Sequence, residues 1–519
     1  MIIIQNIQLS HVIPQSLEMS VIPEDIPVGR RTTFDITKYH EYSKLGRYNP
    51  NILYPGEVSK LNFDKSLMQN VQKEFFFWCL ARHAARSAQQ LTNSDCLHLL
   101  DHDYEESCDS HSTPTSLLPS YTATQSAIIK PDEIKSHRTV ISFAPILPYP
   151  PTDHDIVYTR MLQFSDALVQ KKTKCGSFWC DMAIYKIAKE IQILKPDLFG
   201  HMFIGIGGFH HEKILMAVIG KILQCSGIEN FEAVRLIAYQ QTPGAGTNFE
   251  DIQDGLNLFQ STFTVEKHHV HPSILSNAWK ESKSNLEESA FLVHFKEFVA
   301  RGNLVSKNFA YWSFILDEIY PVLRDLTQSF RKGDWLLHCS AVRRSIQLFF
   351  GFDRPNYKRW VPLYLEDCLS VQTKYPELSK HFIDGGFVGS QTSRCGSSLP
   401  FDQLLEKAYN KPPKVSGGII GMTRRKENVT KWELNKHEKD QYIDFMSSVL
   451  GISDDDDEFS VHYEFSPSVT SEDYACVNLI INWVLEHPKN PFNVESSCLK
   501  HKNIFIGESC PPLLTTYLL

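Results

Sequence analysis

Asp181 is the first residue in this sequence whose position suggests chemistry. It follows the apolar run FWC and precedes MAIYKIAKEIQIL, so it stands where a buried strand gives way to a helix. Carboxylates at strand ends hold metal ions in many α/β enzymes, because a strand end is rigid and opens to solvent. An Asp that opens a helix is equally an ordinary N-cap, which satisfies backbone N–H groups. Both interpretations of Asp181 stay open at the sequence level.

A second acidic group lies in the segment FDQLLEKAYN at 401–410. Asp402, Glu406 and Asn410 are spaced four residues apart, so a helix would place them on one face. Carboxylate and amide oxygens are the ligands that Mg²⁺ and Mn²⁺ prefer. The alternative is a solvated helix face on which Asp402 is only a cap.

The segment GIGGFHH at 205–211 places two histidines directly after a glycine-rich strand end. We expect the glycines to let the backbone turn tightly. The spacing differs from the GxGxxG pattern, so a dinucleotide site is not indicated. His210 beside a metal-binding Asp would suit a role in holding substrate. The alternative is a buried histidine bonded to the backbone.

Two basic segments are candidates for contacts with phosphate. RPNYKRW at 354–360 contains Lys358 and Arg359, and TRRKENVTKW at 423–432 contains Arg424 and Arg425. Cations interleaved with aromatic side chains suit phosphate neutralisation combined with base stacking. A layer of surface salt bridges around a buried Trp is the alternative.

The spacing of apolar residues predicts the helices and strands that must position these residues. A helix is predicted over 66–91, and 228–380 is predicted to be mostly helical. Between these segments, strands alternate with helices, which is typical of an α/β layer. The strands are predicted at 139–147, 175–180 and 201–207, and the helices between and after them at 182–194 and 211–225.

The amino-acid composition indicates a globular protein. The 519 residues carry a formal net charge of −8 and 42% hydrophobic residues, which is ordinary globular composition. The twelve cysteines include no CxxC pair, and no apolar run is long enough for a transmembrane helix. The N-terminus lacks the pattern of a signal peptide. We therefore expect a nuclear or cytoplasmic protein, neither secreted nor in a membrane.

Four blocks, taken in order, resemble a group of animal proteins that look derived from transposable elements. They begin FWCDMAIYKIAKEI, FIGIGGFHHEKILMAV, RPNYKRWVPLYLEDC and FDQLLEKAYNKPP, and the resemblance covers about residues 137–435. At a coarser level the pattern is similar to the ribonuclease H-like core of Mutator-like transposases. The predicted strand at 139–147 departs from that pattern, because it contains no acidic residue.

The resemblance implies an α/β fold in which a ribonuclease H-like sheet core is interrupted by a large helical insertion. A loop-rich N-terminal region and a small C-terminal segment flank that core. The implied divisions are an N-terminal region 1–135, a first core half 136–227, an insertion 228–380, a second core half 381–451 and a C-terminal segment 452–519.

The implied ancestral activity is cleavage and strand transfer of DNA with Mg²⁺ or Mn²⁺. The alternative is a catalytically dead nuclear protein of the same fold that binds DNA or a protein. DNA is the implied partner, and the sequence leaves a homo-oligomer open. The resemblance assigns catalysis to Asp181, Glu406 and Asp402, metal binding to Asp181 and Glu406, and substrate contacts to His210 and Asn410. The two basic segments add Lys358, Arg359, Arg424 and Arg425 as substrate contacts.

Overall fold

The structure is a computed structural model. It describes residues 65–89, 149–223, 231–242, 272–389 and 396–405, together with single residues at scattered positions between 118 and 492. Most of the predicted strand at 139–147 lies outside the described residues, and so do Glu406, Asn410, Arg424 and Arg425.

Helices dominate the described part of the chain. In chain order the elements are α1 Lys65–Gln89, α2 His154–Gln170, β1 Gly176–Cys180, α3 Met182–Leu194, α4 Pro196–Phe199, β2 Met202–Ile206, α5 Gly208–Leu223, α6 Phe231–Gln240, α7 Pro272–Glu288, α8 Phe291–Val305, α9 Lys307–Phe314, a π-helical turn Ile315–Ile319, α10 Tyr320–Lys332, α11 Trp335–Gly351, α12 Pro355–Lys374, α13 Pro376–Ile383 and α14 Phe401–Leu405.

The ribonuclease H-like sheet core expected from the sequence is wrong. The described residues contain one sheet, of two parallel strands, with Gly176 opposite Met202 and Cys180 opposite Ile206. The described parts of 381–451, expected to complete the core, form the end of α13, turns, a single antiparallel bridge between Gly389 and Leu399, and the short helix α14. Strand–helix alternation is a local signal, and it does not specify how many strands join a sheet. In the described residues, rings from α12, α13 and α14 pack against Trp179 of β1.

Local sequence explains the two strands and the helix between them. Every residue of β1 and β2 is buried, which accounts for their nearly unbroken apolar composition. In α3, Tyr185, Ala188 and Ile191 recur at helical spacing and are fully buried. Asp181 caps the start of α3, and Pro196 begins the next helix directly after Lys195. The predicted bounds of β1, α3 and β2 are confirmed to within one residue.

Trp179 of β1 is the centre of the aromatic core around this sheet. Its ring lies 5.7 to 6.4 Å, between centroids, from the rings of Phe203, Tyr364, Phe382 and Phe401. These partners belong to β2, α12, α13 and α14. The indole also covers its strand neighbour Gly205, where an added Cβ would meet the ring at 2.3 Å. Trp179 and Gly205 are paired across the two strands, and the glycine leaves the space that the indole occupies.

The chain divides into two compact units. The first contains 1–62, 136–215 and 329–459, and the second contains 63–135, 216–328 and 460–519. The stretch 228–380, expected to be one helical insertion, is thus shared between the units. Its part from 329 onward belongs to the unit that contains the sheet.

The second unit is a helical assembly with buried charges among aromatic rings. Phe77 of α1 meets Trp279 of α7 edge to face at 4.6 Å. Arg235 of α6 binds Asp317 through two hydrogen bonds of 2.9 Å. Arg324 and Asp325 form a buried ion pair at 2.7 Å. No helix in the described part of the chain is long and apolar enough to cross a membrane.

His338 of α11 is a buried histidine in the first unit. Its Nε2 lies 2.8 Å from the hydroxyl of Tyr364, and its buried Nδ1 has no hydrogen-bond partner. Burial, together with a smaller effect of nearby His211, lowers the pKa of His338 from 6.5 to about 3. The imidazole is therefore neutral in the folded protein at neutral pH.

We predict that this neutral histidine makes the folded protein acid-sensitive. Below pH 6.5 the unfolded chain protonates His338 and the folded chain does not, so unfolding gains up to about 1.4 kcal/mol per pH unit as pH falls. His338→Gln removes this contribution. Urea denaturation of both proteins between pH 7 and pH 4.5 should show a shallower loss of stability in the variant. Parallel curves would contradict the prediction.

Candidate functional site

The candidate site is the edge of the sheet at the carboxyl ends of β1 and β2. Asp181 directly follows β1, and Gly207 directly follows β2. The backbone N–H of Gly207 donates to the carbonyl of Cys180 at 2.6 Å, which continues the strand pairing to this edge. The helices α3 and α5 both begin at this edge, so the unpaired backbone N–H groups of their first turns lie at the same end of the sheet.

Asp402, from α14, binds the start of α5. Its Oδ1 accepts from the backbone N–H of Phe209 at 3.0 Å, and its Oδ2 accepts from the N–H of His210 at 3.1 Å. The same Oδ2 lies 3.0 Å from Nδ1 of His210. A carboxylate at a helix N-terminus also interacts favourably with the helix dipole. Asp402 therefore caps a helix almost two hundred residues away, whereas the sequence had suggested a cap only on its own helix.

The pair between Asp402 and His210 defines the tautomer of the imidazole. An ionised carboxylate only accepts hydrogen bonds, so Nδ1 of His210 carries a proton. A neutral His210 then has its lone pair on Nε2. The side chain of His210 is 35% exposed and that of Asp402 only 9%. This arrangement, a carboxylate that orients a partly exposed histidine, is common to general bases and to metal-binding histidines.

Asp181 is the N-cap of α3, which was the alternative to a metal ligand in the sequence analysis. Its Oδ1 accepts from the backbone N–H of Ile184 at 3.1 Å. Burial raises the pKa of Tyr357 above its usual value, and the carboxylates of Asp181 and Asp402 raise it further. The structure therefore brings Asp181, Asp402 and His210 to the same edge.

Tyr357, in the first turn of α12, joins the basic segment to this edge. Its hydroxyl donates to the backbone carbonyl of His210 at 3.3 Å. Lys358 and Arg359 follow it in sequence, and Lys358 pairs with the exposed Asp353 at 2.6 Å. Arg359 is exposed. Both cations thus belong to the helix turn that contacts His210.

His211, next to His210, is a core residue. Ser345 donates its hydroxyl proton to the carbonyl of Val342 at 2.7 Å, so its oxygen accepts from Nε2 of His211 at 3.1 Å. Burial lowers the pKa of His211 to about 4, and Asp402 opposes the shift only in part. Neither Ser345 nor Tyr357 could be assigned to the site from the sequence, because no motif connects them to the histidine pair.

The glycines after β2 are required for space, not for a tight turn. The glycines of the described chain with positive φ are Gly333, Gly385 and Gly396, and none belongs to GIGG. A Cβ on Gly207 would lie 2.5 Å from Oδ2 of Asp402. A Cβ on Gly208 would lie 2.4 Å from the ring of Phe330. The expected reason for these glycines was therefore wrong, although the segment does lie at the site.

No metal centre is complete among the described residues. They contain no group of three or more His, Cys, Asp or Glu side chains that could hold an ion. Asp402 already accepts three hydrogen bonds, and Asp181 caps a helix. The metal ligand Glu406 of the sequence hypothesis lies outside the described residues, directly after Leu405 at the end of α14.

The comparison with protein families covers most of this chain. A family model described as a domain of unknown function, DUF8702, matches residues 125–239 and 253–508. The chain belongs to this family. Asp181, His210, Tyr357 and Asp402 all lie within the matched ranges. Comparison with curated proteins gives no match, and comparison with solved structures gives none either.

We predict that Gly207 and Asp402 are energetically coupled. Gly207→Ala should lower the free energy of unfolding by about 1–3 kcal/mol, because the new methyl group displaces a carboxylate held by three hydrogen bonds. Asp402→Ala should cost roughly 2–4 kcal/mol through the lost cap. Asp402→Ala removes the two atoms nearest to the added Cβ, Oδ2 at 2.5 Å and Cγ at 2.8 Å, and keeps only the Cβ of residue 402 at 3.2 Å, so the alanine at 207 should cost less once Asp402 is alanine.

Chemical denaturation of the two single variants and the double variant measures this coupling. Gly220→Ala in α5 is the matched control, because a Cβ there meets nothing within 4 Å. It should leave stability unchanged or raise it by up to about 1 kcal/mol. Additive losses for Gly207→Ala and Asp402→Ala would show that the carboxylate does not occupy the space beside Gly207.

Proposed function

We propose that this protein descends from a transposase and binds DNA at the edge where β1 and β2 end. The observation that carries the proposal is the hydrogen bond from Tyr357 to the carbonyl of His210. This bond holds the first turns of α12, with Lys358 and Arg359, beside the edge that contains His210. The resemblance of the four sequence blocks to transposable-element-derived proteins supports the same proposal.

Binding to phosphates explains the residue types at this place. A net charge of −8 opposes the approach of DNA to the molecule as a whole, so binding needs a local group of cations. Arg354 lies one helix turn before Lys358, and the N-terminus of α12 itself favours anions. Each phosphate neutralised by Lys or Arg releases counterions from DNA, which makes such binding depend on salt. A DNA partner implies a nuclear location.

Binding is favoured over cleavage by the hydrogen bonds of the carboxylates. Cleavage by two divalent ions requires several carboxylates with oxygens available to the metals. In the described residues, Asp181 and Asp402 both hold helix N-termini. Contacts to the phosphate backbone need no metal and position a nucleic acid without reading its sequence.

We predict that reversing one exposed charge beside the site weakens DNA binding. Arg359→Glu should raise the Kd for a double-stranded oligonucleotide by about tenfold or more and reduce the dependence of log Kd on log salt. Fluorescence anisotropy at 50 to 200 mM salt measures both. Lys171→Glu is the control, because Lys171 is exposed in the loop that leads to the opposite end of β1. Equal effects of the two changes would contradict the proposal.

Metal-dependent cleavage of DNA is the second candidate. It is favoured by the positions of Asp181, directly after β1, and Asp402, which binds the start of α5 just after β2. Mg²⁺ or Mn²⁺ would be the cofactor, with Asp181 and Glu406 as ligands and His210 beside them. The described residues alone do not complete such a site, so this candidate depends on Glu406.

Asp181→Asn tests this second candidate without removing the helix cap. Asn is as good an N-cap as Asp, so the free energy of unfolding should change by less than about 1 kcal/mol. If the protein cleaves DNA with Mg²⁺ or Mn²⁺, the variant should lose at least about a hundredfold in rate, because the charge that binds the ion is gone. Asp166→Asn, on the exposed side of α2, should cleave as well as the unchanged protein. Absence of metal-dependent cleavage by the unchanged protein would exclude this candidate and leave the DNA-binding proposal intact.

A further inference from the structure

The loop between α11 and α12 carries an acidic residue directly before the first turn of α12. Asp353 precedes Arg354, the N-cap of that helix, and its Oδ1 lies 2.6 Å from Nζ of Lys358. The side chain of Asp353 is 82% exposed and that of Lys358 is 36% exposed. The ammonium group of Lys358 is therefore paired with a carboxylate of its own chain at the surface that a phosphate would have to approach.

The backbone conformation of Asp353 is one that glycine usually adopts. Its φ is +48°, and Lys172 is the only other non-glycine residue with a positive φ in the described part of the chain. Aspartate tolerates this conformation better than most residues, because its short polar side chain can bond locally. Glycine would fit the same backbone without steric cost. The geometry of the loop therefore does not by itself call for a carboxylate at position 353.

Two buried aromatic side chains fix the helix turn on which Lys358 lies. Tyr357 is 8% exposed, and its ring centroid is 5.0 Å from that of a phenylalanine of α11. Trp360 is 4% exposed, and its ring centroid is 6.1 Å from that of a tyrosine of α3. Lys358 and Arg359 lie between these anchors. Because lysine has a long flexible stem, its ammonium group can leave Asp353 for a phosphate without movement of the helix.

We propose that Asp353 is an intramolecular competitor for Lys358, which keeps this cation from nucleic acid until a phosphate displaces the carboxylate. The inference rests on the proposed function, because it concerns the affinity of the same helix turn for DNA. An exposed ion pair is weak, so the carboxylate lowers the affinity without preventing binding. The unchanged protein thus binds DNA less tightly than its cations alone would allow.

Asp353→Asn tests the proposal in the full-length protein. Asparagine has almost the same size and also tolerates a positive φ, but it forms no ion pair with Lys358. The Kd for the double-stranded oligonucleotide, measured by fluorescence anisotropy, should fall about three- to tenfold, because Lys358 becomes available to a phosphate. The dependence of log Kd on log salt should steepen by up to about one. Asp353→Gly, which suits the backbone at this position, should give the same result.

Two comparisons separate direct competition from general repulsion of DNA. In protein that already carries Lys358→Gln, Asp353→Asn should change the Kd by less than about twofold, because the cation it would release is absent. Glu366→Gln is the charge-matched control. Glu366 is exposed on the same helix, about 12 Å along its axis from Lys358, which is beyond the screening distance at 0.1 M salt. This control should also change the Kd by less than about twofold.

The outcomes distinguish this inference from the proposed function. If neither the unchanged protein nor Asp353→Asn binds DNA, the proposed function fails and the competitor fails with it. If Arg359→Glu weakens binding while Asp353→Asn and Asp353→Gly leave the Kd unchanged, only the competitor is refuted. The competitor is also refuted if Asp353→Asn tightens binding as strongly in the Lys358→Gln protein, or if Glu366→Gln has the same effect. Urea denaturation checks that each variant is folded.

Discussion

The carboxylate of Asp402 satisfies the start of α5, orients His210 and occupies the space that Gly207 leaves open. These three contacts connect the end of β2 to a residue that follows almost two hundred positions later. The first unit is assembled from separate stretches of chain, 136–215 and 329–459, and Asp402 links the second stretch to the first. Without the carboxylate, two N–H groups at the helix start would lose their acceptor, and His210 would lose the group that sets its tautomer. The position of the candidate site therefore depends on this one side chain.

Short-range features of this unit could be predicted from the sequence, and long-range features could not. The bounds of β1, α3 and β2 follow from apolar runs, from Asp181 as a cap and from Pro196 as a stop, all within a few residues. The contact between Asp402 and His210 joins residues 192 positions apart, and no periodicity contains it. The expected ribonuclease H-like core was wrong for the same reason, because pairing in a sheet is decided by distant segments.

The sequence correctly predicted that GIGG lies at the site, but it predicted the wrong reason for the glycines. A cluster of glycines after a strand usually suggests φ angles that other residues avoid. Here the neighbouring side chains decide, because Trp179 covers Gly205, Asp402 fills the space at Gly207 and Phe330 fills that at Gly208. These partners come from β1, α14 and α10. Only the folded arrangement distinguishes a glycine needed for its conformation from one needed for its small size.

Residues that the fold requires are distinct from residues that only a function would require. Asp181 and Asp402 each cap a helix, so the fold needs them whether or not the protein acts on DNA. Their presence therefore does not distinguish an active enzyme from a catalytically dead binding protein. His211 and His338 are buried and neutral, which is a packing role. His210 and Arg359 differ, because one is partly exposed beside a carboxylate and the other is exposed on the adjacent helix turn. Variants of His210 and Arg359 therefore test a function of this unit more directly than variants of the two helix caps.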